Sequence, residues 1–172
     1  MANFQVEQRV FMNQVEYGQL ENCCNEDKPY LYMYGIQDNF TDLMPVHLTH
    51  GRMPKNSNEI LLPEHLLTNG GIKYQLQDTF TLALGLRTSG MEDSLNNRVP
   101  ISRDSDSNTI VESLTQTKNH TYTVTGFYER PSFENYSSPS YTALTVSDMP
   151  TDGITHDSNC SGECIQYHLH QC

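Results

Sequence analysis

Alternation of apolar and polar positions dominates the middle of the chain. From Thr79 to Leu84, Thr79, Thr81 and Ala83 fall on one parity and Phe80, Leu82 and Leu84 on the other, the period-two signature of a half-buried strand. From His120 to Glu129 the pattern repeats, with Tyr122, Val124, Gly126 and Tyr128 set against Thr121, Thr123 and Thr125. Tyr30 to Ile36 places three tyrosines on one parity and Leu31 and Met33 on the other. Both of its faces are apolar, which predicts an interior strand. Glu59 to Leu62 and Tyr141 to Val146 predict two shorter strands, and Ile110, Val111 and Leu114 predict the start of another. Phe4 to Met12 alternates imperfectly and reads as a weak strand.

Helical signals are sparse. Val15 to Cys24, with Val15 and Leu20 as its apolar positions, predicts a short helix stopped by Pro29. A second helix is expected from Pro63, a favoured first position, with Glu64 near its positive end and Gly70-Gly71 at its exit. Asp38 to Asp42 reads as a turn, Gly51 to Asn58 as successive turns, and Arg130 to Pro139 as a loop. Arg87 to Asn108 is poor in apolar residues, with Val99-Pro100-Ile101 as its one apolar contact point. It is expected to be a mobile insertion, open to trypsin after Arg87, Arg98 or Arg103. The fold class expected is therefore α+β: a mixed sheet of short strands with one or two short helices and a long polar insertion. Residues 1–147 are expected to form the domain, with one core of Ile60, Leu61, Leu62, Leu66, Phe80, Leu82, Leu84, Val124 and Phe127. Residues 148–172, with four acids and three cysteines but no Lys or Arg, are expected to be an acidic Cys/His-containing tail.

Composition narrows the function classes. A chain of 172 residues suffices for one domain with a core. Its 21 acids against 10 bases give a net charge of -11, which repels phosphate backbones and disfavours nucleic acid as a partner. Apolar content is 36% and mean hydropathy -0.59, lean for a globular chain. No run approaches the ~20 apolar residues that span a bilayer, and Met1 to Glu7 has neither the basic nor the apolar region of a signal peptide. The reading is of a soluble fragment or excised domain.

Candidate chemistry is thin. Cys160, Cys164, His168, His170 and Cys172 supply the thiolates and imidazoles that suit zinc, though without the usual C-x2-C spacing. The remaining cysteines, Cys23 and Cys24, make the total odd. His47 and His50 mimic H-x-x-H but lack the hydrolytic glutamate. Asp104, Asp106 and Asn108 have the odd-position spacing of a calcium loop without its Gly and distal Glu. Glu92-Asp93 reads as a solvated acid pair. Gly-x-Ser-x-Gly and a phosphate-cradling glycine loop are both missing. Asn-x-Ser/Thr triplets at Asn39, Asn119, Asn135 and Asn159 are what an Asn- and Ser-rich chain yields by chance. Phe133, Tyr136 and Tyr141 are expected to fold back onto the sheet rather than anchor a partner, and Arg52 to serve structure. No catalytic, cofactor-binding or metal residue is assigned, and the chain is read as a non-enzyme.

One ordered set of segments carries a resemblance. Gly51-Arg52-Met53-Pro54-Lys55-Asn56-Ser57-Asn58-Glu59-Ile60 is followed by Pro63 to Asn69 with Gly70-Gly71, then Leu76-Gln77-Asp78 to Gly85, then Tyr122-Thr123-Val124-Thr125-Gly126-Phe127. Over about residues 30–146 this resembles the extracytoplasmic, MacB-like periplasmic core domain of FtsX/MacB-type ABC-transporter permeases. The resemblance implies a non-catalytic domain at the extracytoplasmic face of a bacterial membrane. It further implies coupling of cytoplasmic ATP hydrolysis to engagement of a substrate, peptide or protein outside. The implied partners are the membrane-spanning remainder of the permease and a separate ATP-binding subunit, with no cofactor in the domain itself. The alternative is a free-standing binding module whose Cys/His tail holds a metal.

Overall fold

A computed structural model describes residues 13–37, 40–90 and 93–147. In chain order the elements are β1 (Asn13–Gln19), β2 (Tyr30–Ile36), α1 (Phe40–Leu43), β3 (Leu48–Gly51), β4 (Glu59–Pro63), α2 (His65–Gly70), β5 (Thr79–Ser89), β6 (Asp93–Ser94), β7 (Glu112–Tyr128) and β8 (Ser140–Val146). The weak strand expected over Phe4 to Met12 and the tail from Asp148 lie outside the described residues.

The α+β expectation is overturned: six strands close into a β-barrel, in the ring order β1-β2-β8-β4-β7-β5 and back to β1. Closure depends on two elements that local pattern misreads. The first is β1, expected to be helical. It bridges the ring by pairing antiparallel with β2 on one edge and with β5 on the other. Gly18 permits this, because a Cβ there would lie 2.8 Å from Leu82 Cδ1 and 3.2 Å from Leu84 Cδ2. Weak helical spacing loses to two ladders of strand pairing. The second is β7, seventeen residues long. Its first part pairs with β5, and its last part pairs with β4 on one edge and β3 on the other. Two pairings in the ring are parallel, β2 with β8 and β4 with β7, so segments distant in sequence are brought side by side.

Strand alternation sorts the apolar residues into two layers. Leu31 and Met33, Ile60 and Leu62, Leu82 and Leu84, Tyr122 and Val124, and Tyr141 and Ala143 fill the barrel, with Leu66 of α2 packed among them. Phe80 and Phe127 are partly buried against this interior. Leu61, expected in the same core, points the other way. It joins Tyr17, Tyr30, Tyr32, Tyr34, Ile36, Phe40, Met44, Tyr128 and Leu144 on the outer face of the ring. The interior-strand reading of Tyr30 to Ile36 holds, since all seven of its residues are buried.

The outer layer is covered by the segment expected to be a mobile insertion. β5 continues through Ser89, and Gln116 at φ 55° marks an irregularity where Leu86 pairs with Thr115. Beyond it, Ile101 and Leu114 pack against the outer tyrosine layer. Arg87 is wholly buried and donates hydrogen bonds to the carbonyls of Asn96 and Val99 at 3.0 and 3.3 Å. The expectation that trypsin reaches Arg87 fails for this reason: the side chain anchors the insertion to the barrel.

The turn expected over Asp38 to Asp42 overlaps α1, with Asp38 and Asn39 outside the described residues. Pro63 ends β4 rather than opening a helix, and α2 ends at Gly71 with φ 72°, the left-handed cap expected there.

Candidate functional site: a basic pocket around Glu134

The loop between β7 and β8 carries Glu134, whose carboxylate is fully buried. Four elements converge on it. Lys28, just ahead of β2, donates to Oε1 at 3.1 Å. His65 Nε2, at the first residue of α2, lies 2.9 Å from the same oxygen. Arg130, one turn back on the Glu134 loop, places Nε 3.3 Å away. Oε2 accepts the backbone N–H of Thr142 in β8 at 2.9 Å. Burial pushes the Glu134 pKa up. The His65 hydrogen bond and charge, the Lys28 charge and the Thr142 N–H outweigh this and hold it down to about 2.

The partners of Glu134, though not Glu134 itself, line a cavity of about 650 Å³. Lys28, His65 and Arg130 line it, together with Asp27, Asn69, Arg103 and Tyr136. Arg103 is held by Asp27 at 3.0 Å and by the carbonyl of Asn108. The Arg130 guanidinium lies 4.0 Å from the centroid of the Tyr136 ring, and Tyr136 itself is 83% exposed. Three of the chain's ten Lys and Arg residues thus face one cavity, and Glu134, Asp27 and Glu26 pair with them.

The residues singled out in sequence meet different fates. Of the loop aromatics, Tyr141 is buried in the barrel and Phe133 packs on the outer layer, as expected. Tyr136 does not fold back; it stands over the pocket. Arg52 forms a bidentate pair with Glu59, Nη1–Oε2 at 2.6 Å and Nη2–Oε1 at 2.8 Å. Glu59 also accepts the Lys55 N–H, and these contacts, Arg52 first, hold its pKa down to about 2. Gly51, at φ +77°, packs on Thr125 and Gly126 of β7, so the residues that carry the family resemblance close on one another as a clasp.

His47 and His50 are both exposed, and His50 lies 3.4 Å from Glu64 instead of joining His47. The Asp104 carboxylate is taken up by its own turn, accepting from the Asp106 N–H and from Ser107 N–H and Oγ. Among the described residues, no group of three His, Cys, Asp or Glu side chains is gathered as a metal site. The metal reading of Cys160, Cys164, His168, His170 and Cys172 falls outside those residues, as does Glu92. Among the described residues no helix is long and apolar enough to cross a membrane.

The pocket itself was missed by sequence reasoning. Its charged members, Lys28, His65, Arg103, Arg130 and Glu134, share no local spacing. The one available signal was an Arg-Pro-x-x-Glu run, Arg130 to Glu134, which places two opposite charges one turn apart. Neither a family model nor a curated protein matches the sequence.

Proposed function

We propose that this chain is the extracytoplasmic domain of an FtsX/MacB-type ABC-transporter permease, and that it binds rather than catalyses. One observation carries the reading beyond the motif. Asn13 pairs with Gly35 at one edge of β2, and Val146 pairs with Ile36 at the other. The start of β1 and the end of β8 therefore lie at the same end of the barrel, about 10 Å apart across two strand spacings. Adjacent ends are what allow a domain to sit as an insertion in a longer chain. A domain suspended between two membrane helices requires that arrangement.

In this reading the barrel is the rigid body, and motion driven by a cytoplasmic ATPase reaches it through both strand ends together. The Gly51–Ile60 clasp, with its bidentate ion pair and its packing against β7, stiffens the wall of that body. Glu134 acts as an ionised structural centre: both its oxygens already accept hydrogen bonds.

The test is replacement of residues 13–147 in the parent permease by a flexible Gly/Ser linker. Transport or partner activation is expected to be lost while the ATPase still assembles at the membrane. Full activity with the linker overturns the proposal.

A further inference from the structure

We infer that the cleft where β1 parts from β5 takes an extended peptide, which adds to the free edge of β5 and presents a basic side chain to Glu21. The site stands on the barrel alone and holds whether or not a permease carries the domain.

Backbone pairing is the first ground. β5 is paired with β7 along nearly its whole length. Its other edge is used far less. Among the described residues, β1 meets that edge at Leu84 and Gly85, and β6 meets β5 at Thr88 and Ser89. Thr79 to Ala83 therefore present an unpaired strand edge, along which alternate residues turn N–H and C=O groups outward. β1 leaves this edge because its end stays with β2. Gln19 pairs with Tyr30, and the Leu20 N–H donates to the Pro29 carbonyl at 2.8 Å. The free stretch is about 17 Å long, room for an added strand of about five residues.

A cleft of about 960 Å³ opens at the same place. Thr81 and Ala83 of β5 line it, with Leu20 and Glu21 just past β1 and with Ile110 and Leu114 from the insertion and β7. Leu82 and Leu84 fill the barrel, so Thr81 and Ala83 alternate to its outer side, where both are exposed. Ile110 is 41% exposed. An open strand edge beside apolar surface supplies both parts of strand addition: main-chain bonds for affinity and contacts to alternate side chains for selectivity.

Charge selects the occupant. The charged residues that line the cleft are Glu21 and Glu112, both acids. Glu112 is taken up by the buried Arg87. Glu21 is exposed and, among the described residues, forms no ion pair. In a chain of net charge -11, such a cleft repels a second copy and draws a Lys or Arg side chain. Residues two apart on a strand share a face, so apolar and basic residues at that spacing meet the apolar lining and Glu21 from one side.

The experiment is a titration of the full chain with two end-blocked peptides, Thr-Lys-Thr-Val-Thr-Lys-Thr and Thr-Val-Thr-Lys-Thr-Val-Thr, followed through backbone amide resonances. Saturable shifts centred on Thr79 to Ala83, with a Kd on the order of 0.1–1 mM for at least one peptide, support the proposal. Replacing Lys by Glu in that peptide is expected to weaken it at least about tenfold, and N-methylation of every backbone amide to abolish binding. Glu21→Lys, at an exposed position, is expected to weaken the Lys peptide about tenfold and to leave the unfolding midpoint unchanged. Failure of both peptides to saturate overturns the proposal, as do shifts centred elsewhere. Equal binding of the N-methylated peptide rules out strand addition, and equal binding of the Glu peptide or by the Glu21→Lys variant rules out the basic occupant. Self-association of the chain that shifts the same amides makes a second copy the occupant and overturns it too.

Discussion

Arg87 and Glu112 form a bidentate ion pair in which both side chains are wholly excluded from solvent, Nε–Oε1 at 2.8 Å and Nη2–Oε2 at 2.9 Å. The guanidinium lies 5.3 and 5.5 Å from the ring centroids of Tyr17 and Tyr30. Glu112 Oε2 also accepts the Ser102 N–H. The pair thus joins β5, β7, the tyrosine layer and the insertion. Removing one partner strands a buried charge, so Arg87→Ala and Glu112→Ala are each expected to cost about 3–5 kcal/mol in urea unfolding. The double variant Arg87→Met/Glu112→Leu, which strands no charge, is expected to lose much less. Equal losses in the single and double variants refute this account.

Trypsin distinguishes the anchored insertion from a free one. Arg98 is exposed, whereas Arg87 is not accessible at all. Limited digestion is expected to nick after Arg98 first and to leave the Arg87 bond intact until global unfolding. Early cleavage at Arg87, seen by mass spectrometry, contradicts the buried pair.

Two glycines separate conformation from crowding. Gly51 and Gly90 both have positive φ, +77° and +75°. A Cβ on Gly51 meets Thr125 O, Gly126 Cα at 2.7 Å and Leu76; one on Gly90 meets nothing within 4 Å. Gly90→Ala is expected to cost only the left-handed penalty, about 1–2 kcal/mol. Gly51→Ala adds displacement of β3 from β7 and is expected to cost at least about twice that. Thermal midpoints that rank the two variants the other way contradict the clasp.

Stability is expected to fall on the acid side. Glu134 and Glu59 both have folded pKa values held down to about 2 from 4.5. Unfolding therefore takes up protons as pH drops, and the stability these groups contribute is complete above about pH 5 and lost as pH falls toward 2. For buried Glu134 the swing is on the order of 3 kcal/mol. Urea midpoints are expected to be flat from pH 7 to 5 and to decline below. Glu134→Gln is expected to lower the neutral-pH midpoint and to flatten that decline; an unchanged acid slope shows that the carboxylate is not the cause.

Leu82→Ala probes the barrel interior. Leu82 is 6% exposed and packs on Gly18 of the neighbouring strand β1. A loss of about 2–5 kcal/mol is expected. An unchanged denaturation midpoint places the side chain outside the core.

What could be read from sequence follows from the range of each interaction. The strands of Tyr30–Ile36, Glu59–Pro63 and Ser140–Val146 carry their apolar pattern within a few residues, and pattern reasoning finds them. Barrel closure does not show locally. It depends on parallel pairing between Tyr30 and Ser140, 110 positions apart, and on a glycine at 18 chosen for what lies opposite it. The same holds for the pocket. Lys28 and Glu134 meet only because β2 and β8 pair, so no window along the chain contains both. The polar insertion misled for a related reason: Arg87 and Glu112 look like surface charges until their partner is known.

The shared end of β1 and β8 also sets how the domain answers force. A pull applied at Asn13 and Val146 draws the two chains apart across β2, at right angles to the strands. The load then falls on the terminal ladder contacts alone, beginning with the Ser147 N–H to Ile36 carbonyl bond of 2.9 Å. Bonds loaded in sequence yield one by one, as in a zip, whereas bonds loaded in parallel yield together. The barrel therefore resists displacement best when its two ends move together, and its seam is the place that a pull between them loads first.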